Sequence, residues 1–152
     1  HQLMMWEPLR GWGHVKVTQR RNRRVYTDCV RELVDVYYPR AAKIRLVQDN
    51  LNTHDGASLY EAFAPEEARR ILDRIDFHYT PKHGSWLNMA ETEINIMLRQ
   101  CLDRRLDSQA LITKEVAIWE KQRNARRAKI HWTFTLASAR RKLRKLYPSI
   151  ED

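Results

Sequence analysis

Lys43-Ile44-Arg45-Leu46-Val47-Gln48, followed by the polar run Asp49-Asn50-Leu51-Asn52-Thr53-His54, decides how this chain is read. Ile44, Leu46 and Val47 make the first six residues a short buried strand. The polar run ends it, so Asp49 stands at the strand's carboxyl end. In open α/β sheets, ligands and metal ions gather at that end. Taken alone, Asp49 fits better as a turn aspartate or a helix cap beside Asn50 and Asn52.

Upstream, Gln2–Glu7 reads as an apolar strand, and Pro8, Gly11 and Gly13 mark a turn. His14–Thr18 alternates Val15 and Val17 against Lys16, which predicts a second strand paired as a hairpin. Arg20–Arg24 reads as a basic turn. Val30, Leu33, Val34 and Tyr37 recur at helical spacing, with Thr27 or Asp28 as the cap and Pro39 as the stop. Downstream, two short helices at about 57–63 and 65–75 precede a small strand at Phe77–Tyr79. A helix is expected from about Trp86 to Leu102. Another, capped by Asp107 or Ser108, carries Leu111, Ile112, Val116 and Trp119. After a short extended piece at Ile130–Phe134, a last amphipathic helix sets Leu136, Ala139, Leu143 and Leu146 against a basic side. This mixed order of strands and helices predicts one α/β domain over residues 1–152, with helices covering a sheet.

Bulk properties agree with a single globular domain. The chain has 152 residues, 43% hydrophobic and 31% charged, a balance that excludes a disordered chain. No apolar run reaches the roughly 20 residues that span a bilayer, so no membrane partner is expected. Cys29 and Cys101 lie far apart in apolar helical patterns and read as reduced core thiols rather than zinc ligands. The formal net charge of +9 favours an anionic partner, nucleic acid first.

A second acid stands out on the helix expected after Trp86. Leu87, Ala90, Ile94, Leu98 and Cys101 are its expected apolar face, and Glu91 falls about 60° from the centre of that face. Glu93 falls nearer the polar side. A carboxylate within an apolar stripe is costly unless it is paired or bound to metal. An edge glutamate reaching solvent explains Glu91 equally well. Read together, Asp49 and Glu91 suit Mg²⁺, which takes one or two protein carboxylates and completes its shell with water and phosphate oxygens.

The segment Phe77-His78-Tyr79-Thr80-Pro81-Lys82-His83-Gly84-Ser85-Trp86-Leu87-Asn88-Met89-Ala90-Glu91 closely resembles the stretch before the last acid of bacterial insertion-sequence transposases, in the mariner-like branch of the DDE superfamily. Leu46–His54 looks like that family's strand bearing the second acid. Glu7-Pro8-Leu9-Arg10-Gly11-Trp12, Arg31-Glu32-Leu33-Val34-Asp35 and Ala139-Arg140-Arg141-Lys142-Leu143 extend the likeness over nearly the whole chain.

The resemblance implies a ribonuclease-H-like mixed sheet flanked by helices, and DNA transposition by metal-dependent cleavage and strand transfer. Asp49 and Glu91 become the second and third metal-binding catalytic acids, with Glu93 a weaker candidate for the third. Two Mg²⁺ (or Mn²⁺) ions serve the intact site, activating a nucleophile and stabilising the leaving 3′ oxygen. Nothing here matches the family's first acid, which sits on a central strand ahead of Gln2–Glu7. Glu7 belongs to a different family segment, and Asp28 and Asp35 lie on the following helix. The chain is therefore expected to be N-terminally truncated, without its first, central strand, and possession of activity is left open. An unpaired apolar edge invites another chain, so either direct pairing of Gln2–Glu7 with Lys43–Gln48 or a homodimer is expected.

The resemblance also implies DNA as partner, both element ends and target. Arg20, Arg21, Arg23, Arg24, Lys82, His83, Arg123, Arg126, Arg127, Lys129, Arg140, Arg141 and Arg144 are the candidate DNA-binding cations. Such backbone contacts carry little sequence information. His54 and His78 flank the acids, and Ser85, Trp86 and Asn88 belong to the loop before the third. Trp132 and Phe134 read first as core, then as base-stacking groups. The implied location is cytoplasmic, bacterial and nucleoid-associated. The alternative is a non-catalytic transposase relic that binds DNA or self-associates.

Overall fold

The computed structural model describes residues 1–20, 22–49, 55–81, 88–131, 133 and 135–142. The strands are β1 (Gln2–Glu7), β2 (Trp12–Val17), β3 (Ile44–Gln48) and β4 (Ile75–Tyr79). The α-helices are α1 (Arg23–Glu32), α2 (Ala57–Ala62), α3 (Pro65–Leu72), α4 (Met89–Cys101), α5 (Gln109–Ala125) and α6 (Leu136–Lys142). The mixed α/β class expected from the sequence is present, with small sheets flanked by helices.

β1 and β2 form an antiparallel hairpin in which Gln2 faces Val17 and Glu7 faces Trp12. β3 and β4 pair in parallel, from Ile44 opposite Ile75 to Gln48 opposite Tyr79. The two pairs are separate two-stranded sheets. Direct pairing of β1 with β3, one of the two expected outcomes, is thus absent. Side-chain packing joins the sheets instead. Leu3 and Met5 of β1 and Ile44 and Leu46 of β3 lean on one core built from Tyr26, Val30, Leu33, Val34, Leu59, Ala68, Ile71 and Ile75. The other face of the hairpin, through Met4, Val15 and Val17, packs on Met97, Val116 and Trp119 of α4 and α5. Core contacts therefore set the position of each strand pair, and among the described residues no backbone ladder ties the two together.

Local chemistry moves several element ends from where the sequence put them. α1 begins at Arg23, not near Thr27 or Asp28, because the Asn22 side chain accepts from the Val25 N–H at 2.9 Å. Arg23 and Arg24 consequently belong to the helix rather than to a basic turn. Past Glu32 the helix widens into a π turn over Leu33–Tyr37, closed by the Tyr38 N–H on the Leu33 carbonyl at 3.0 Å. That turn sets Tyr37 and Tyr38 against Trp12, at ring separations of 5.0 and 5.8 Å. The Tyr38 hydroxyl donates to the Glu7 carboxylate. α3 opens on Pro65 with Glu66 and Glu67 in its first turn and closes on Arg69 and Arg70, an order that suits the helix dipole at both ends. β4 starts at Ile75, two residues before the expected Phe77. α4 starts at Met89, and Trp86 lies outside the described residues. Ser108 caps α5 by accepting from the Leu111 N–H at 3.2 Å. Ile130, His131 and Thr133 form no strand. Leu143 and Leu146 of the last expected helix lie outside the described residues.

The outer edge of β2 is closed by side chains of α5. Asn124 accepts from the Gly13 N–H and donates to the Gly13 carbonyl, both at 2.8 Å. Glu120 accepts from the Val15 N–H at 2.8 Å and meets His14 Nδ1 at 3.1 Å. Three backbone groups of that edge, the Gly13 N–H and carbonyl and the Val15 N–H, are thereby satisfied and withdrawn from a further strand.

Between the π turn and α3, Arg70 bridges Asp35 at 2.8 Å and Glu67 at 2.7 Å. The hydrogen bonds from Arg70 hold both carboxyls below their ordinary range. Depressed carboxyls contribute stability above the unfolded pKa, and this is lost as pH falls through the folded one. The expected result is that the thermal midpoint of the native chain falls more steeply than that of Arg70→Ala below about pH 5. Because all three side chains are more than a third exposed, the difference should shrink in high salt. Parallel acid limbs in differential scanning fluorimetry would contradict it. Both cysteines are free; Cys29 is buried, which pushes its pKa up to about 11, and Cys101 is half-buried rather than in the core.

Candidate active site

Asp49 follows the last residue of β3. The strand alternates as its sequence does: Ile44, Leu46 and Gln48 turn toward α1, and Arg45 and Val47 turn out. Gln48 is the only polar member of the inward row, and it is buried. Its amide oxygen accepts from the Tyr26 hydroxyl of α1 at 2.9 Å. Its carbonyl accepts from the Thr80 N–H at 2.9 Å, one step past the end of β4. The chain is thus gripped from two directions immediately before Asp49, which is itself half-buried.

Burial, first of all, pushes the Tyr26 phenol far above its ordinary pKa, opposed by the bond to Gln48; Tyr79, Asp55 and Asp49 add negative charge nearby and push it further. At neutral pH the hydroxyl is a fixed donor. Behind it, the Asp55 carboxylate accepts from the Ser58 N–H at 2.8 Å and its hydroxyl at 2.6 Å, which starts α2. Those two bonds hold the Asp55 carboxyl below its ordinary range.

Glu91 sits in the first turn of α4. Asn88 caps that turn: its side chain accepts from the Ala90 N–H and its carbonyl from the Glu91 N–H, each at 3.0 Å. A carboxylate here faces the partial positive charge of a helix start. Glu91 is half-buried, and the deeply buried residues of α4 are Glu93 and Met97. Here the helical-wheel expectation needs correction. Leu98 is exposed, and the buried stripe runs through Glu93, placed near the polar side from sequence. The cause is Arg123 of α5, which donates to both Glu93 oxygens, one of them at 3.0 Å. Its guanidinium also lies over the Trp119 ring at 5.8 Å. Glu93 is thus committed to an ion pair.

The basic residues divide by what they touch. Arg23 donates to both oxygens of Glu61, at 2.8 and 2.7 Å. Arg24 donates to the Ala62 carbonyl at 2.9 Å and, with Arg31, lies over the Phe63 ring. These arginines fasten α1 to α2. Arg123 is turned inward, its side chain 16% exposed. Arg20, Arg126, Arg127, Lys129, Arg140 and Arg141 are exposed, as are Arg23 and Arg24 despite their contacts. Arg21, Lys82, His83 and Arg144 lie outside the described residues, as do His54, Ser85, Trp86, Trp132 and Phe134. His78 points outward from β4 and meets Asp76 at 3.0 Å.

Among the described residues, no three His, Cys, Asp or Glu side chains converge on one point. The oxygen donors of Asp49 and Glu91 suit a hard divalent cation in kind. Sequence reasoning missed Tyr26, Gln48 and Thr80. The available signal was Gln48, a polar residue on the inward register of an apolar strand. No helix among the described residues is long and apolar enough to cross a membrane.

A family model described as DDE superfamily endonuclease matches residues 3–112. The match starts in β1, contains both Asp49 and Glu91, and ends in the first turn of α5. No curated protein and no solved structure matches the chain.

Proposed function

Because the chain belongs to the DDE superfamily endonucleases, whose domain type implies DNA as substrate and transposase-type cleavage, we propose that it is the larger part of a transposase core in which Asp49 and Glu91 are the second and third metal-binding acids. The supporting observation is that the family match spans both the end of β3 and the first turn of α4. Endonucleases of this superfamily generally use divalent metal ions. Mg²⁺ or Mn²⁺, two ions in the intact site, would polarise the scissile phosphate and supply the nucleophilic oxygen.

The protein's own groups then do the positioning. Asp49 presents its carboxylate from a strand end gripped at Gln48. Glu91 presents its own from a capped helix start. Exposed cations at Arg20, Arg126, Arg127, Lys129, Arg140 and Arg141 would hold the DNA backbone. Arg21, Lys82, His83 and Arg144 join them on the family resemblance alone. Arg23 and Arg24 are exposed too but already engaged by Glu61, Asp28 and the Ala62 carbonyl, and Arg123 is turned inward onto Glu93.

The finer family reading is a bacterial insertion-sequence transposase of the mariner-like branch, nucleoid-associated and acting as a homodimer. A ribonuclease-H-like sheet has a central strand bearing the first acid. The separation of β1–β2 from β3–β4 is consistent with a place for that strand between β1 and β3.

The test is nicking of supercoiled plasmid in Mn²⁺ by the native chain, Asp49→Ala and Glu91→Ala. Nicking that falls at least a hundredfold in both variants is the expected result. DNA binding without metal-dependent nicking would replace this reading with that of a non-catalytic relic. Nicking that survives both substitutions would remove Asp49 and Glu91 from the chemistry.

A further inference from the structure

Groups from two other segments meet at Gln48, the residue before Asp49. Tyr26 of α1, Gln48 of β3 and Thr80 after β4 are all buried. The phenol donates to the Gln48 side chain at 2.9 Å, and the Thr80 N–H donates to the Gln48 carbonyl at 2.9 Å. A strand end held only by its ladder frays, because its last backbone groups have a partner on one side. Here the last strand residue is held through side chain and main chain at once. From the geometry we infer that Tyr26 is a positioning residue: through Gln48 it fixes the direction in which the Asp49 carboxylate leaves β3.

The chemistry is specific to a hydroxyl. Phenylalanine at position 26 would keep the ring among Val30 and Ile75 in the core but offer no donor, leaving the buried Gln48 amide oxygen without this bond. With that tether to α1 gone, the last residue of β3 is held less firmly, and Asp49 follows it directly in the chain. Thr80 adds a second consequence. It precedes Pro81 and the segment that leads to Glu91, so the Thr80–Gln48 bond ties the chain on the way to the third acid to the strand carrying the second. Mutating a group hydrogen-bonded to a metal ligand typically costs about 10–100-fold in affinity, and Tyr26, which acts one residue further back, is expected at the low end.

This inference rests on the reading of Asp49 as a metal ligand. Its test is calorimetric titration of the whole chain with Mn²⁺ alone, for the native protein, Tyr26→Phe, Gln48→Leu, the double variant and Asp49→Ala. Tyr26→Phe should weaken Mn²⁺ binding about tenfold. Gln48→Leu, which reaches the same bond from the strand, should do the same, and the double variant should lose no more than either single one. Hydrogen exchange at the Asp49 amide should speed up in each. Mn²⁺ affinity that depends on Asp49 but is unchanged in Tyr26→Phe or Gln48→Leu overturns the positioning role alone. Losses that simply add in the double variant do so too. Mn²⁺ affinity that is unchanged in Asp49→Ala overturns the metal-site reading and this inference with it.

Discussion

Arg123→Ala should destabilise the protein by about 3–5 kcal/mol, the cost of leaving a buried partner charge uncompensated. Glu93 has no solvent exposure, and Arg123 donates to both its oxygens. Water cannot reach the carboxylate to replace what the arginine supplies. For a chain of this size the thermal midpoint should fall by about 10 °C. Arg126→Ala, three residues on and exposed, should stay within about 0.5 kcal/mol of the native protein. The cost is one of broken pairing rather than of lost attraction. A Glu93→Leu/Arg123→Met double variant should therefore recover most of the stability, since apolar replacement of both partners is often neutral or better. Urea denaturation of the four proteins decides the matter. An Arg123→Ala variant as stable as the native chain would mean that the pair is not formed.

The second large effect is expected at Gly11→Ala. Gly11 lies in the hairpin turn with φ +62°, in the left-handed region. A methyl group there would lie 2.5 Å from the Arg127 carbonyl oxygen and 3.0 Å from that of Ala128. Both obstacles are backbone, at the carboxyl end of α5, where Arg127 is itself left-handed at φ 46°. Neither can rotate away as a side chain would. The conformational strain of roughly 1–2 kcal/mol and the overpacking of roughly 1–3 kcal/mol act together. Gly56→Ala is the control. Its added carbon would meet the end of the flexible Leu72 side chain at 3.0 Å, and its φ of −65° suits any residue. Its stability should change by less than about 1 kcal/mol. Equal effects at the two glycines would show that the turn and α5 do not touch.

How much of this was legible in the sequence depended on range. The hairpin, the β3 strand and the existence of each helix followed from spacing, because alternation and the 3.6-residue repeat are local signals. Element ends were less legible. Asn22 was overlooked as a cap because the basic run around it read as a turn. The face of α4 was misjudged for a long-range reason: Glu93 is buried because Arg123, thirty positions later, is there to receive it. No helical wheel drawn on α4 alone contains that information. Arg23 and Arg24 show the same thing in reverse. In sequence they form a cationic cluster; in the fold Glu61, Ala62 and Phe63 take them up. Asp49 and Glu91 could be picked out as acids, but the grip on Gln48 could not, since Tyr26 and Thr80 come from elements whose adjacency only the tertiary structure sets.

The closure of β2 by Glu120 and Asn124 has a consequence for synthesis. The bonded groups are separated by 105 to 111 positions. As the chain leaves the ribosome, the hairpin emerges well before α5, and its outer edge stays unsealed until almost all of α5 has followed. At about 5–20 residues per second, that interval lasts roughly 5–20 s. For those seconds β2 is an open template to any other nascent chain. The protein's yield in a cell should therefore respond to translation speed and to chaperones that mask strand edges, even where its equilibrium stability is ample.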